Sequence, residues 1–360
     1  MKIGILTFHN ANNYGAVLQA YCLQETLLQM GHDVEIVDYR NRLIEKNTHP
    51  FVFSNFWRKP LYYIIQVLNA YLPYRRRAIN FQHFRSEYLH LSAHCYRDGK
   101  ELCDSSYDCL MIGSDQVWNP MITGGIDPVY WGKFAPSHAK VVSYAASSGA
   151  LKLFDAVLDI NSLLKNFSSI SVREDRLLNF VEQHSKKATL VLDPTLMADA
   201  DILSRITTER IVQKPYVLVY AVESSPLLME VARKKAKSLK AKLIKVSGAS
   251  VKAWFKYKDV DFINASVPDL LSLIKYAECI VCLSFHGTAF SLVFEKQFLS
   301  VQGENIDRVR SVLSRLELED YIIRDKSTVL PEKKIDYSVV SRKLKSLREQ
   351  SKQFLSDVLE

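Results

Sequence analysis

Three side chains stand where a chain can expose chemistry, each at the end of a short apolar run. Asp115 lies in Ile112-Gly-Ser-Asp-Gln-Val-Trp-Asn-Pro120, Arg173 in Ser171-Val-Arg-Glu-Asp175, and His286 in Leu283-Ser-Phe-His-Gly-Thr288. A carboxylate past a strand end can take a proton from a hydroxyl nucleophile. Ser114 beside it and Trp118 just beyond suit a sugar, the indole by stacking on its face. A guanidinium grips a carboxylate or phosphate through two parallel hydrogen bonds. His286 can titrate near neutrality. An anion framed by Ser284, Gly287 and Thr288 would meet the free amides and positive dipole end of a helix starting near Thr288. Each segment also has a plain structural alternative. Ser114-Asp115 can cap a helix with Trp118 in the core, Arg173 can pair with Glu174 or Asp175 at the surface, and a lone histidine is commonly structural. The place of His286 at a strand end, before a glycine, favours function.

A fourth segment, Phe8-His-Asn-Ala-Asn-Asn-Tyr-Gly15, falls at a strand-to-helix turn. Gly15 permits a close backbone approach or a positive φ, and the amides of Asn12 and Asn13 can each donate to and accept from sugar hydroxyls. The alternative is an Asn-rich cap and turn. It is not a GxGxxG loop, so nothing points to a dinucleotide.

The elements that must position these residues alternate. Apolar runs at Lys2–Phe8, Asp33–Tyr39, Tyr107–Gly113, Val141–Ala145, Ser169–Arg173 and Leu190–Asp193 read as buried strands, with a helix over Ala16–Met30 ending at Gly31. Strand, loop, helix and strand within about 40 residues make a βαβ unit and hence a parallel sheet. A second set follows a linker near residues 200–214, with strands at Pro215–Tyr220, Ala241–Val246, Cys279–Leu283 and Phe298–Val301. The expected architecture is α/β, with two Rossmann-like domains facing a cleft: residues 1–205 on the acceptor side, 206–342 on the donor-anion side, and a C-terminal helix in 343–360. Ligands of such sheets bind beyond the carboxyl ends of the strands.

Composition narrows the class. The chain of 360 residues is 48% hydrophobic, enough for real cores, and carries 47 basic against 39 acidic residues, a formal charge of +8. That excess favours an anionic partner such as a phosphate-bearing substrate, an anionic polymer or a membrane surface. No secretory leader is expected, and no apolar run reaches the roughly 18–20 residues of a transmembrane helix. The six cysteines, scattered through apolar contexts, read as reduced residues of a cytoplasmic protein. Cys279 and Cys282 form a CxxC, but residues three apart on a strand face opposite ways, so no metal site is expected.

In chain order, LTFHNANNYGAVLQAYCLQ, IGSDQVWNP, VSYAASSG, ISVRED, VLDPTL and SFHGTAFSLVFEKQF resemble the polysaccharide pyruvyl transferase family, over about residues 3–301. The resemblance implies a glycosyltransferase-B-like fold, phosphoenolpyruvate as donor, a sugar diol as acceptor and a cyclic pyruvate ketal as product, with no cofactor and no required metal. It implies that Arg173, in the SxRE element, and His286 hold the donor. Family members carry an Arg-x-His pair in the second element, whereas this chain has Ser284 in place of the arginine; a serine can donate a hydrogen bond but cannot neutralise charge. Two rival readings stand beside this one: a glycosyltransferase using a nucleotide sugar, and a non-catalytic sugar-binding assembly protein.

Residues 50–90 interleave aromatics (Phe51, Phe53, Phe56, Trp57, Tyr62, Tyr63) with Arg75-Arg-Arg77 and almost no acid. They read as one or two surface helices. One function for them is an interfacial patch on the inner face of a membrane bearing a lipid-linked acceptor. The plain alternative is an amphipathic helix with solvated arginines, and nucleic acid is not an expected partner. Replacing Arg75, Arg76 and Arg77 by Gln is expected to weaken co-sedimentation with anionic vesicles, and unchanged binding would leave only the structural role.

Overall fold

The computed structural model describes residues 1–48, 60–149, 160–184, 186–221, 225–246, 257–303 and 306–360, with side chains throughout except at 47–48 and 60–73. Phe51, Phe53, Phe56 and Trp57, and the side chains of Tyr62 and Tyr63, lie outside this description. The chain divides into two compact units: Met1–Thr48, Phe84–Ala198 and Ser341–Glu360 form unit 1, and His49–His83 with Asp199–Val340 form unit 2.

Unit 1 holds a sheet of seven strands in the order β3-β2-β1-β4-β5-β6-β7. In sequence these are β1 (Lys2–Leu6), β2 (Asp33–Tyr39), β3 (Leu91–Tyr96), β4 (Cys109–Ile112), β5 (Lys140–Ala146), β6 (Ser169–Val172) and β7 (Thr189–Leu190). Every pairing is parallel. Parallel strands covered on both faces read as unbroken apolar runs, as in Cys109–Ile112, where all four residues are buried. Unit 2 repeats the plan with six strands in the order β10-β9-β8-β11-β12-β13. These are β8 (Tyr216–Tyr220), β9 (Lys242–Val246), β10 (Asp261–Ile263), β11 (Cys279–Cys282), β12 (Phe298–Val301) and β13 (Ile322–Ile323), again all parallel. In each sheet the strand order reverses once, at β1/β4 and at β8/β11. Loops that diverge at such a point open a crevice beyond the strand ends.

Helix α1 (Tyr14–Gln29) starts where Asn13 Oδ1 accepts from the Gly15 and Ala16 amides, at 2.9 and 3.3 Å. It ends at Met30, followed by Gly31 at φ 87°. Helix α2 (Arg42–Thr48) is short, and α3 (Pro60–Tyr88) is a single helix of 29 residues. Arg77 of α3 lies over the Phe81 ring, and Phe81 and Phe84 are buried, so the end of α3 is core as well as surface. Gln24 of α1 joins it to the α3–β3 connection, donating to Tyr88 O (3.0 Å) and accepting from His90 N (2.8 Å).

Two details fix the carboxyl edges of the sheets. In unit 1, His9 Nε2 donates to Asp38 Oδ1 at 2.8 Å, and Arg40 approaches the same oxygen at 2.5 Å while donating to Oδ2 at 2.9 Å. Burial pushes the Asp38 carboxyl up, but the hydrogen bonds from His9 and Arg40 outweigh it and hold the group well below the usual carboxylate range. In unit 2, the helix Phe285–Val293 packs so closely that a Cβ on Gly287 would lie 2.5 Å from Cys282 Cβ and 2.7 Å from Tyr220 Cδ1.

Two outcomes follow for stability. Gly287→Ala forces that helix off its strands and is expected to cost about 1–3 kcal/mol by overpacking; an unchanged urea midpoint would contradict the close approach. A carboxyl held lower in the folded than in the unfolded chain stabilises above the ordinary value of about 4, and that stabilisation fades as pH falls toward the folded value. Asp38→Asn is therefore expected to melt earlier at neutral pH and to lose less melting temperature on acidification to about pH 3. Parallel acid limbs for the two proteins would contradict it.

Candidate active site

The loops after β1 and β4 meet at the switch point of unit 1, where Thr7 Oγ1 donates to Ser114 O at 3.0 Å. Gln19 of α1 backs this contact, its Nε2 donating to Thr7 Oγ1 at 2.7 Å. The chain leaves β4 through Gly113, at φ 117°, and a cis peptide bond to Ser114. A Cβ on Gly113 would lie 2.3 Å from Tyr144 O, so only glycine fits there. Asp115 then adopts φ 72° and Ala145, on the neighbouring strand β5, φ 49°. Two non-glycine residues in left-handed backbone at one strand edge are a local strain of the kind held at functional sites.

The strain is held by a buried ionic cluster. Arg173, 1% exposed, donates to Asp193 Oδ2 at 2.5 Å and to Asp115 Oδ1 at 3.2 Å. Burial disfavours its charge, but the Asp193, Asp115 and Glu174 carboxylates around it raise its pKa further above the already high arginine value. Ser114 Oγ stands 3.0 Å from both Asp193 Oδ2 and Ala145 O, so its one proton serves a single acceptor at a time. Glu174 accepts a very short hydrogen bond from Ser147. Asp115 is 9% exposed; Oδ1 is taken by Arg173, and Oδ2 has no partner among the described residues.

Asp193 is the member that local reading of the chain does not single out. It caps the turn Pro194–Met197, with Oδ1 accepting from Thr195 N and Thr195 Oγ1. That loop is pinned from behind. Tyr144 OH donates to Leu192 O, Ser351 Oγ accepts from Leu192 N, and Arg348 Nε donates to Leu196 O. Ser351 and Arg348 lie on the C-terminal helix Tyr337–Leu359, whose Ser341–Glu360 segment thus belongs to unit 1 and is no separate element.

Several side chains expected to touch a ligand have other contacts. Trp118, 2% exposed, stacks on Trp131 at 4.6 Å, meets Phe167 edge-on and donates its indole N–H to Tyr130 O. It is core, because its faces are covered. Gly15 sits in the first turn of α1 in ordinary helical backbone, with no left-handed turn. The Asn13 oxygen is committed to the helix cap. Asn12 Oδ1 accepts from Arg85 at 3.2 Å. Burial, and then the charge of nearby Arg40, push the Arg85 guanidinium down to about 10.

In unit 2, His286 is the second residue of the helix Phe285–Val293 that follows β11, at the switch point of that sheet. Its ring is 8% exposed, edge-on to Phe285 at 5.3 Å and stacked toward Phe290 at 6.0 Å. Ser284 is the N-cap, its Oγ accepting from Gly287 N at 3.2 Å. Thr288 lies beneath the site, its hydroxyl 2.5 Å from Ser300 Oγ and 3.4 Å from Cys282 Sγ. Asp115 with its arginine, and His286 with its capped helix start, thus occupy the same place in their respective sheets: the strand end where ligands of doubly wound folds collect.

Among solved structures, the chain is similar to a MnaA–UDP co-structure from S. aureus, at 10% identity over 96% of this chain and 87% of that one, with a TM-score of 0.52. It is also similar to a UDP-GlcNAc 2-epimerase of Neisseria meningitidis bound to UDP-GlcNAc, at 9% identity over 99% and 94%, with a TM-score of 0.51. These likenesses support the fold, α/β with two Rossmann-like units of the glycosyltransferase-B-like kind. No curated protein sequence matches the chain. Among the described residues, no helix is long and apolar enough to cross a membrane. The family profile described as polysaccharide pyruvyl transferase matches residues 13–305, and with most of its length inside that match the chain belongs to the polysaccharide pyruvyl transferase family.

Proposed function

We propose that this protein transfers the pyruvyl group of phosphoenolpyruvate to two hydroxyls of a sugar in a cell-surface polysaccharide or its lipid-linked precursor, forming a ketal and releasing phosphate. Unit 1 takes the acceptor and unit 2 the donor. The observation that supports this most is Asp115, held by one oxygen on a buried arginine with the other oxygen uncommitted among the described residues, at the switch point of unit 1.

In this reading His286 protonates the methylene carbon of phosphoenolpyruvate, which makes C2 electrophilic. An acceptor hydroxyl adds to C2 and gives its proton to Asp115 Oδ2. Phosphate then departs with the electrons of its C2–O bond and takes up the proton held by Asp115, a second hydroxyl adds at C2 and gives its proton to the imidazole of His286, and the ketal closes. The donor's phosphate and carboxylate need cationic or amide partners. The start of the helix Phe285–Val293 offers amides, and the Ser284 hydroxyl adds a donor where relatives carry arginine. Arg173, enclosed by two carboxylates, acts as a positioning residue for Asp115 in place of the clamp its motif suggests. This reading requires no metal or cofactor and places the protein inside the cell, at the inner membrane surface where the acceptor is lipid-linked.

Asp115→Asn and His286→Ala are each expected to lower turnover about a hundredfold or more, read as acceptor-dependent phosphate release with circular dichroism unchanged. Near-normal turnover in both would reject these roles. Calorimetry separates the rival donor: phosphoenolpyruvate should bind and uridine diphosphate should not. Tight uridine diphosphate binding without phosphoenolpyruvate binding would favour a nucleotide-sugar glycosyltransferase, the ligand class seen in the structural neighbours.

A further inference from the structure

Beside the switch point of unit 1, beyond the ends of β2 and β3, lies a cavity of about 480 Å³ that the scheme above does not use. Four of its lining residues are cationic: Arg40, Arg42, Lys46 and Arg97. No acidic residue lines it among the described residues. Arg40 is paired with Asp38, and Arg97 reaches Glu45 at 3.3 Å. Arg42 and Lys46 meet no carboxylate among the described residues.

The pocket is built on a fixed frame. Asn41, buried at its floor, donates to Thr123 O at 3.1 Å and to Asp127 Oδ2 at 2.8 Å, while its own oxygen accepts from the Leu43 and Ile44 amides. Tyr39 OH donates to the same Asp127 oxygen at 2.9 Å. The loop bearing Arg40 and Arg42 is thereby locked to the Pro120–Thr123 turn, in the segment that also carries Asp115. The backbone that carries the charges is fixed before a ligand arrives, which limits the ordering cost to the side chains.

We propose that this pocket binds a phosphoryl group, and most fittingly the diphosphate, of a phosphate-bearing sugar acceptor. The argument is one of charge, geometry and size. Arg42 and Arg97 present exposed guanidinium groups, which can pair bidentately with phosphate oxygens, whereas Arg40 is already held on both oxygens of Asp38. Arg42 and Lys46 add two positive charges that form no ion pair among the described residues, and the cavity is far larger than a single carboxylate. The proposal rests on unit 1 being the acceptor side. It places the linkage by which the sugar is carried, prenyl or nucleotide, beside Asp115 on one sheet edge.

Calorimetry on the full chain at low salt, with inorganic pyrophosphate as probe, tests the site without any turnover. Saturable binding is expected, weakened tenfold or more in R42Q/R97Q and in K46Q, and falling steeply as salt is added. These side chains are exposed, and unchanged melting curves will show that the variants fold. A phosphate site elsewhere on the chain survives both substitutions, so undiminished binding in the variants overturns the proposal, as does the absence of binding to the wild type. Arg42-dependent binding of glucuronate in place of pyrophosphate overturns the phosphate assignment. Uridine diphosphate and geranyl diphosphate, run in parallel, distinguish the nucleotide from the prenyl source by which one gains affinity over pyrophosphate. No arm contains phosphoenolpyruvate, so a failure of pyruvyl transfer leaves the result intact.

Discussion

The guanidinium of Arg173 is the interaction on which unit 1 turns. A charged group this deeply buried is costly unless its partners are close and numerous. It meets Asp193 and Asp115, with Glu174 adding its field and Ser114 its hydroxyl. Three loops at the carboxyl edge of the sheet meet at one cation, those after β4, β6 and β7, and the loop after β5 joins through Ser147, which donates to Glu174. The left-handed backbone at Asp115 and Ala145 is tolerated because this cluster and the hydrogen bonds around it over-determine the geometry. The C-terminal helix contributes by holding the Asp193 loop from behind. Removing Arg173 leaves the buried Asp193 carboxylate without its counterpart, a loss of the kind that commonly destabilises by about 3–5 kcal/mol.

Both sheets place their most reactive side chain in the same way. A continuous apolar strand ends, the chain turns, and a polar residue is presented where neighbouring connections run in opposite directions. In unit 1 the residue is a carboxylate, ordered by charge. In unit 2 it is an imidazole, ordered by packing between two phenylalanines and by a helix start that only Gly287 allows so near the sheet. The difference suits the proposed roles, since a base toward a hydroxyl needs a fixed lone pair and a proton donor to carbon needs an enclosed, water-poor setting.

Much of this was legible in the residues, and the losses have physical causes. β2 and β12 match the expected ranges to the residue, β12 as a short, fully buried run and β2 through Val34, Ile36 and Val37 between polar residues. β3, β10 and β13 were not foreseen. All are at sheet edges: exposed residues such as Ala93, His94 and Asp261 dilute the signal in β3 and β10, and β13 is only two residues long. The return of Ser341–Glu360 to unit 1 is a tertiary contact with no local mark. The same holds for Asp193: its proline-flanked context shows a capped turn and says nothing of a guanidinium twenty residues earlier. Trp118 misleads for the opposite reason. An aromatic residue in an acidic, amide-rich loop resembles a sugar platform until Trp131 and Phe167 are seen to cover it.

The central claim is that Arg173 orders Asp115 and does not hold the donor. Steady-state phosphate release by Arg173→Lys, with phosphoenolpyruvate varied at saturating acceptor, tests it directly. A positioning role predicts a kcat reduced by about tenfold or more with the KM for phosphoenolpyruvate within about twofold of the wild type. A KM for phosphoenolpyruvate raised tenfold or more at unchanged kcat would show that the guanidinium grips the donor itself, and would contradict the account.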